Sequence, residues 1–202
     1  MDSKSWDERY ATKEYVWEVE PNQFVKAHLS DLDPGTAIDL AAGEGRNAVW
    51  LASLGWQATA VDFSEVALEK GRTLASDHNV SVDFVCADAT TYQPDELVDL
   101  VVVSYLQLPR SEQHTILDHA KTWLCPGGTI FIIAHDESNM TDGYGGPPTA
   151  EICYTVDRTI ESLNGLNIDI AEVAERTVDT PDGPRTALDT LVVATRPAEQ
   201  ID

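Results

Sequence analysis

The sequence predicts an α/β fold: a doubly wound, seven-stranded sheet, mostly parallel, closed by a C-terminal antiparallel hairpin. Three observations carry this prediction. Apolar runs of strand length alternate with amphipathic helical stretches from residue 36 to residue 135. Runs such as Leu97-Val-Asp-Leu-Val-Val-Val103 are apolar almost throughout, which implies burial on both faces and a parallel sheet covered by helices. In the last third the rhythm breaks, and two long β-rich runs flank Pro181-Asp-Gly-Pro184, a hairpin turn.

Taken in order, strands are predicted at 36–41, 57–62, 81–87, 98–104 and 129–135, with helices over 44–54, 64–78 and 111–124 between them. Ser64 and Ser111 are suited to N-capping, and each is followed by a Glu placed in the first turn. A helix over 155–164, capped by Thr155, precedes the hairpin strands 168–180 and 186–196. Strand–helix alternation with right-handed crossovers gives the doubly wound layer. Residues 1–34 read as an N-terminal helical cap segment, and 1–202 as a single domain. That length suffices for a full core but not for a nucleotide domain plus a separate substrate domain. Residues 136–150 form a long loop after the fifth strand, at the edge where open α/β sheets bind ligands. It is expected to be a substrate-side lid, the alternative being an inert surface excursion.

Charge narrows the partners. Thirteen Lys and Arg against 35 Asp and Glu give a net charge of −22, which repels phosphate backbones and anionic lipid, so neither nucleic acid nor membrane is expected. The three cysteines, Cys86, Cys125 and Cys153, are widely spaced without a paired motif. They imply a reducing compartment, no structural disulfide and no metal site, with Cys86 buried in an apolar run. The N-terminal stretch is polar and no apolar run approaches membrane-spanning length, so the expected location is the cytoplasm. No heptad or apolar stripe marks an interface, which leaves the oligomeric state open.

The most informative stretch is Ala37-Ile-Asp-Leu-Ala-Ala-Gly-Glu-Gly-Arg-Asn47. An apolar strand carrying one acid, Asp39, runs through Ala41 into the glycines Gly43 and Gly45 and then a helix. Such a turn brings bare backbone close to a ligand at a helix N-terminus, where free N–H groups favour anionic or polar groups. The second strand ends in Asp62, placed to accept hydrogen bonds from ribose hydroxyls. Together these features predict an adenosine-containing ligand. Asp39, costly in a buried strand unless hydrogen-bonded, anchors the glycine loop or, through water, an amino acid end of the ligand.

These residues resemble class I S-adenosylmethionine-dependent methyltransferases over nearly the whole chain. Asp39-Leu-Ala41-Ala-Gly43-Glu-Gly45 is similar to that family's first motif, and Asp62, followed by Phe63-Ser64, to its ribose acid. Cys86-Ala-Asp88-Ala89 resembles the motif whose acid meets the adenine amino group. Asp99 resembles the start of the fourth strand, and Leu124-Cys-Pro-Gly-Gly-Thr129 the turn into the fifth. Within the superfamily, Gly45-Arg46-Asn47 and Trp6-Asp-Glu-Arg-Tyr10 resemble the small tellurite-resistance and thiopurine-like methyltransferase group. The resemblance implies a Rossmann-like methyltransferase fold, S-adenosyl-L-methionine as cofactor with S-adenosyl-L-homocysteine as product, an N-terminal segment folding over the cofactor, and a small-molecule acceptor. For that subgroup the attacked atom can be a soft sulfur, selenium or tellurium.

Phe63 can pack on the adenine face or in the core. Trp6 and Tyr10, four apart on one helix face, can close over the site or simply pack that helix. Arg46 can reach the cofactor's carboxylate or an anionic acceptor, and Arg158 an acceptor anion or a surface acid. On the acceptor side, methyl transfer from a sulfonium is an in-line displacement with an activated leaving group. Alignment and desolvation can supply most of the catalysis, and a base is needed only for an acceptor protonated at neutral pH. Tyr105, after the fourth strand, and His135, ending the fifth, are the catalytic candidates, with His135 the one histidine placed to be a base and a locally bonded strand-end histidine as the alternative. Two rival functions share the glycine loop. A nicotinamide-dependent oxidoreductase fits Gly43-x-Gly45-x-x-Ala48, but is opposed by Asp39, the terminal hairpin and the lack of a second domain. The other is a protein that binds S-adenosylmethionine without turning it over.

Overall fold

The computed structural model describes residues 3–12 and 14–198. Seven strands order as β3-β2-β1-β4-β5-β7-β6 in one sheet. The chain clusters into two compact units, Met1–Val102 and Val103–Asp202, with the division inside β4 (Val98–Ser104).

In the first unit, α1 (Ser3–Tyr10) and α2 (Gln23–Leu29) precede β1 (Thr36–Leu40), α3 (Arg46–Ser53), β2 (Gln57–Asp62), α4 (Glu65–Asp77) and β3 (Asp83–Cys86). β1 and β2 pair in parallel with Asp39 opposite Ala60, and β2 and β3 in parallel with Asp62 opposite Cys86. Leu40, Ala60 and Val61 from the strands and Leu51 and Leu68 from the helices are wholly buried. Ser64 caps α4 as predicted, its hydroxyl accepting the Ala67 N–H at 3.2 Å. Asp99 ties the start of β4 to β1, its carboxylate accepting the Thr36 N–H at 2.8 Å and the Thr36 hydroxyl at 2.9 Å.

In the second unit, α5 (Arg110–Ala120), β5 (Leu124–His135), α6 (Asn139–Asp142), α7 (Val156–Ser162), β6 (Asn167–Val178) and β7 (Arg185–Thr195) follow β4. β5 and β7 pair antiparallel, as do β6 and β7. Phe131, Ile132 and Ile133 of β5 and Leu191 and Val192 of β7 are wholly buried, as runs without a polar face require. β6, last in the sheet order, is mostly exposed and carries Asp169, Glu172, Glu175 and Arg176, charges that suit an edge strand. The hairpin closes where the Thr180 carbonyl accepts the Gly183 N–H at 2.9 Å, with Gly183 at φ +105°.

Several boundaries differ from expectation. α5 begins at Arg110 with Pro109 in the cap position, because proline's fixed φ already suits a helix entry; Ser111 lies inside the first turn. β5 runs from Leu124, so the expected turn at 124–129 is strand, bent at Gly127 with φ +85°. Cys86 is exposed, since the short β3 buries little of its length. Residues 136–150 are not a free loop. Asp136 Oδ2 accepts the Thr190 hydroxyl at 2.6 Å, Asn139 Oδ1 accepts the Leu188 N–H at 2.7 Å, and Asn139 opens the short helix α6. Among the described residues, no helix is long and apolar enough to cross a membrane.

Candidate active site

The first unit builds the glycine loop from the end of β1. Ala41, Gly43 and Gly45 all take positive φ, +59°, +56° and +72°. The turn closes with the Gly45 N–H on the Ala42 carbonyl at 3.0 Å, and Gly45 then caps α3. A side chain at Gly45 would meet Phe84 at 3.0 Å, and one at Gly43 the Tyr10 hydroxyl at 2.8 Å, so both positions combine a left-handed backbone with a close neighbour. Asp62 braces this loop: Oδ2 accepts the Gly43 N–H at 2.8 Å and Oδ1 the Ser64 N–H at 2.9 Å. Burial raises the Asp62 carboxyl, and those two N–H groups work against the rise. Each of its oxygens keeps a second lone pair for a hydroxyl donor.

Asp39 is the anomaly of the unit. It is 1 % exposed, and neither carboxylate oxygen has a hydrogen-bond partner among the described residues. Burial pushes its carboxyl up to about 7, tempered by the nearby Ala48 backbone and Arg46, neither of which completes a hydrogen bond to it. An orphaned carboxylate beside a bare-backbone turn fits a ligand that brings an ammonium group, directly or through water. This, with the free lone pairs of Asp62, is the structural test that S-adenosylmethionine passes.

The N-terminal segment lies over the same loop. Trp6 and Tyr10 stack with ring centroids 5.5 Å apart, and Tyr10 is 4 % exposed. Burial pushes the Tyr10 hydroxyl up to about 12, against the lowering effect of the Trp17 indole N–H, which reaches it at 3.5 Å. Asp7 accepts the Ser64 hydroxyl at 2.5 Å. Glu44, between the two loop glycines and almost wholly buried, gathers the Val16 N–H at 2.9 Å, the Trp17 N–H at 3.0 Å and the Lys70 ammonium at 2.9 Å. Lys70 also donates to the Tyr10 carbonyl at 2.6 Å.

The remaining residues of the first unit sit around this centre. Phe63 is half-buried directly after Asp62. Asp88 is exposed, and its Oδ1 accepts the Thr90 N–H at 2.8 Å and the Thr90 hydroxyl at 2.7 Å, shaping the turn in which Ala89 is buried. Arg46 opens α3 and reaches the Glu18 carbonyl at 3.5 Å.

The second unit brings together both acceptor-side candidates. Tyr105 follows β4 with φ +54°, an uncommon conformation for a bulky residue, fixed by its N–H on the Ile133 carbonyl at 2.7 Å. Its ring lies 4.8 Å from that of His135. Behind them is Asp189, wholly buried, whose Oδ2 accepts the Tyr105 hydroxyl at 2.8 Å and the Arg176 Nε–H at 2.7 Å. His135 Nδ1 lies 3.1 Å from Asp189 Oδ1, at ion-pair distance though off hydrogen-bond alignment. Burial raises the Asp189 carboxyl, but His135 and Arg176 outweigh it and hold the group below the usual carboxylate range. Burial, together with the Asp189 charge, raises the Tyr105 hydroxyl. Arg158 pairs with Glu137 at 2.9 Å, the surface-acid alternative.

Sequence reasoning missed Glu44, Lys70, Asp189 and Arg176. A glutamate flanked by two loop glycines was a readable signal for the first. The rest depend on partners 26 residues away for Lys70 and Glu44, and 84 residues away for Tyr105 and Asp189, which no local pattern reveals.

Comparison with known proteins agrees with this geometry. A methyltransferase-domain family model matches residues 37–128, the stretch holding the glycine loop, Asp62 and Asp88. A demethylmenaquinone methyltransferase of Clavibacter sepedonicus is 42 % identical over 97 residues, covering 47 % of this chain and 39 % of that protein. A ribosomal RNA small subunit methyltransferase C of Alcanivorax borkumensis is 30 % identical over 110 residues, covering 52 % of this chain and 33 % of that one. The chain thus spans between a third and two-fifths of the length of these relatives. Among solved structures, TehB of Haemophilus influenzae superposes with TM-score 0.74 at 18 % identity, covering 87 % of this chain and 62 % of TehB. The N-methyltransferase NodS of Bradyrhizobium japonicum, in complex with S-adenosyl-L-homocysteine, superposes with TM-score 0.72 at 16 % identity, covering 96 % and 98 %. Residues 37–128 thus match the methyltransferase domain, and the sheet order and superpositions give the chain the fold of class I, S-adenosylmethionine-dependent methyltransferases.

Proposed function

We propose that this protein transfers a methyl group from S-adenosylmethionine to a small-molecule acceptor, with His135 as the base. The observation that carries the reading is the Asp39–Gly43–Asp62 constellation, a glycine loop braced by one acid with a second, orphaned acid beneath it. Asp62 binds the ribose hydroxyls, Asp39 answers the ammonium, Gly43 and Gly45 allow close approach, and Asp88 with Ala89 and Phe63 frames the adenine. Trp6 and Tyr10 exclude water from above, and Arg46 serves the carboxylate. The bound cofactor supplies a methyl group on a sulfonium. His135 holds the proton that the acceptor gives up, and Tyr105 lines its ring.

The Clavibacter relative, named for its action on a menaquinone precursor, supports a small organic acceptor. The name of the Alcanivorax relative points instead to RNA, and the net charge of −22 disfavours that class here. That same acidity suits a soluble protein of the cytoplasm.

Calorimetric titration with S-adenosyl-L-homocysteine, and separately with oxidised and reduced nicotinamide dinucleotides, tests the cofactor. Binding of the homocysteine compound alone is expected; binding of a dinucleotide instead would overturn the assignment. On an acceptor found by screening, His135→Gln is expected to lower kcat by roughly 10²–10⁴-fold. An unaltered rate across pH would remove His135 from the mechanism.

A further inference from the structure

We propose that Asp189 is the positioning residue of His135, holding its proton on Nδ1 so that Nε2 is a bare base, and that the acceptor therefore arrives with a proton on the attacked atom. This rests on the proposed methyl transfer and specifies its substrate class: an acceptor protonated on the attacked atom, such as a neutral hydroxyl, rather than a thiolate or an oxyanion.

The argument begins with strand register. In the antiparallel β5–β7 ladder His135 stands directly opposite Asp189, so the strand register sets their spacing before any side chain moves. The carboxylate is wholly buried, a costly placement unless its lone pairs are met, and three groups converge on it: the Tyr105 hydroxyl, Arg176 Nε and His135 Nδ1. Arg176, donating at 2.7 Å, keeps Asp189 ionised in a chain where arginine is scarce. An ionised carboxylate only accepts hydrogen bonds, so a hydrogen on the imidazole nitrogen 3.1 Å away meets an acceptor, where a lone pair there would face a second lone pair. Nε2 is then left with its lone pair.

The other charged groups nearby are spoken for. Asp136, next in sequence, accepts from Ser138 and Thr190, and Glu137 pairs with Arg110 and Arg158. The ring of His135 is boxed by Tyr105 on one side and by Gly146, where an added Cβ would lie 3.4 Å from the imidazole. Tyr105 accepts a left-handed backbone to stand there, strain of the kind that collects at working sites. In the transfer, a bond forms from the acceptor heteroatom to the methyl carbon while the methyl–sulfur bond breaks, the sulfur keeping that electron pair. The acceptor's proton passes to His135 Nε2, and Asp189 faces the imidazolium so formed. A thiolate or an oxyanion has no such proton to give.

The test is nitrogen NMR of protein labelled with ¹⁵N-histidine, at a pH where His135 is neutral, with His135→Gln used to assign its signals. Wild type is expected to show one tautomer, hydrogen on Nδ1 and Nε2 bare. Hydrogen on Nε2 in the wild type would overturn the proposal without any variant being needed. In Asp189→Asn, whose amide can donate, the tautomer is expected to reverse; an unchanged tautomer in folded variant protein would also overturn it. Titration with S-adenosyl-L-homocysteine separates the two levels. Binding retained together with the wrong tautomer removes Asp189 alone, whereas no binding with the expected tautomer removes the cofactor reading and leaves the Asp189–His135 relationship standing. With an acceptor, Asp189→Asn is expected to lower kcat by roughly 10²–10⁴-fold at unchanged KM.

Discussion

Gly43 and Asp62 are joined by a 2.8 Å hydrogen bond, from the glycine N–H to Asp62 Oδ2, across nineteen residues of chain. One carboxylate thus shapes the loop and, with its remaining lone pairs, faces the ligand. Asp62→Ala is expected to weaken S-adenosyl-L-homocysteine binding by roughly 1.5–3 kcal/mol, the worth of hydrogen bonds to a charged acceptor. Asp62→Asn keeps one acceptor for Gly43 and should lose less. Calorimetry on both variants, after circular dichroism establishes folding, checks the order; unchanged affinity in folded Asp62→Ala would remove the residue from the site.

Asp39 makes stability depend on pH. Its carboxyl stands at about 7 in the folded chain, above the ordinary value of 3.8. As pH rises from about 4 the unfolded chain ionises first, so the folded state loses stability until pH passes about 7 and then stays level. Asp39→Asn escapes this loss. In urea unfolding of the free protein its advantage over wild type is expected to grow between pH 4 and 7, towards a plateau on the order of 4 kcal/mol. An advantage that shrinks with rising pH would mean that Asp39 is ionised and satisfied.

Glu44 fastens residues 15–17 to the glycine loop through two backbone N–H groups. Glu44→Ala removes charged acceptors worth about 1.5–3 kcal/mol and leaves Lys70 its bond to the Tyr10 carbonyl. Hydrogen exchange at the Val16 and Trp17 amides should speed up by roughly tenfold or more, with α4 amides little affected. Equal protection in variant and wild type would show that the segment is held elsewhere.

Gly71 inverts a common rule. Alanine in a helix interior ordinarily gains roughly 0.5–1 kcal/mol over glycine. Here the added Cβ would lie 2.5 Å from the Phe84 ring and 3.1 Å from the Glu44 carbonyl, so helix and loop would have to part. Gly71→Ala is expected to destabilise by roughly 1–3 kcal/mol in urea unfolding. A gain in stability would show that Phe84 yields.

The sheet was legible because its central strands, β4 and β5 above all, are largely apolar runs and because Pro181-Asp-Gly-Pro184 reads as a turn. The glycine loop and Asp62 were legible because their chemistry is compressed into short motifs ending adjacent parallel strands. What escaped was long-range. Nothing near Asp189 or Arg176 in sequence distinguishes them from the other charges of a strongly acidic chain, and only the antiparallel ladder sets Asp189 opposite His135. The segment 136–150 reads, from its length and place after β5, as a substrate-side lid, and composition alone does not show that Asp136 and Asn139 spend their side chains pinning its start to β7.

Most pairs of the β5–β7 ladder carry none of the candidate chemistry, yet their register decides which residue of β7 stands opposite His135. Side chains alternate along a strand, so a slip of one residue would turn Asp189 away from His135 and offer Leu188 or Thr190 in its place. The register of that ladder is therefore a tuning parameter of the chemistry: substitutions along β7 that preserve it are free to drift, and those that shift it by one disarm the histidine without touching it.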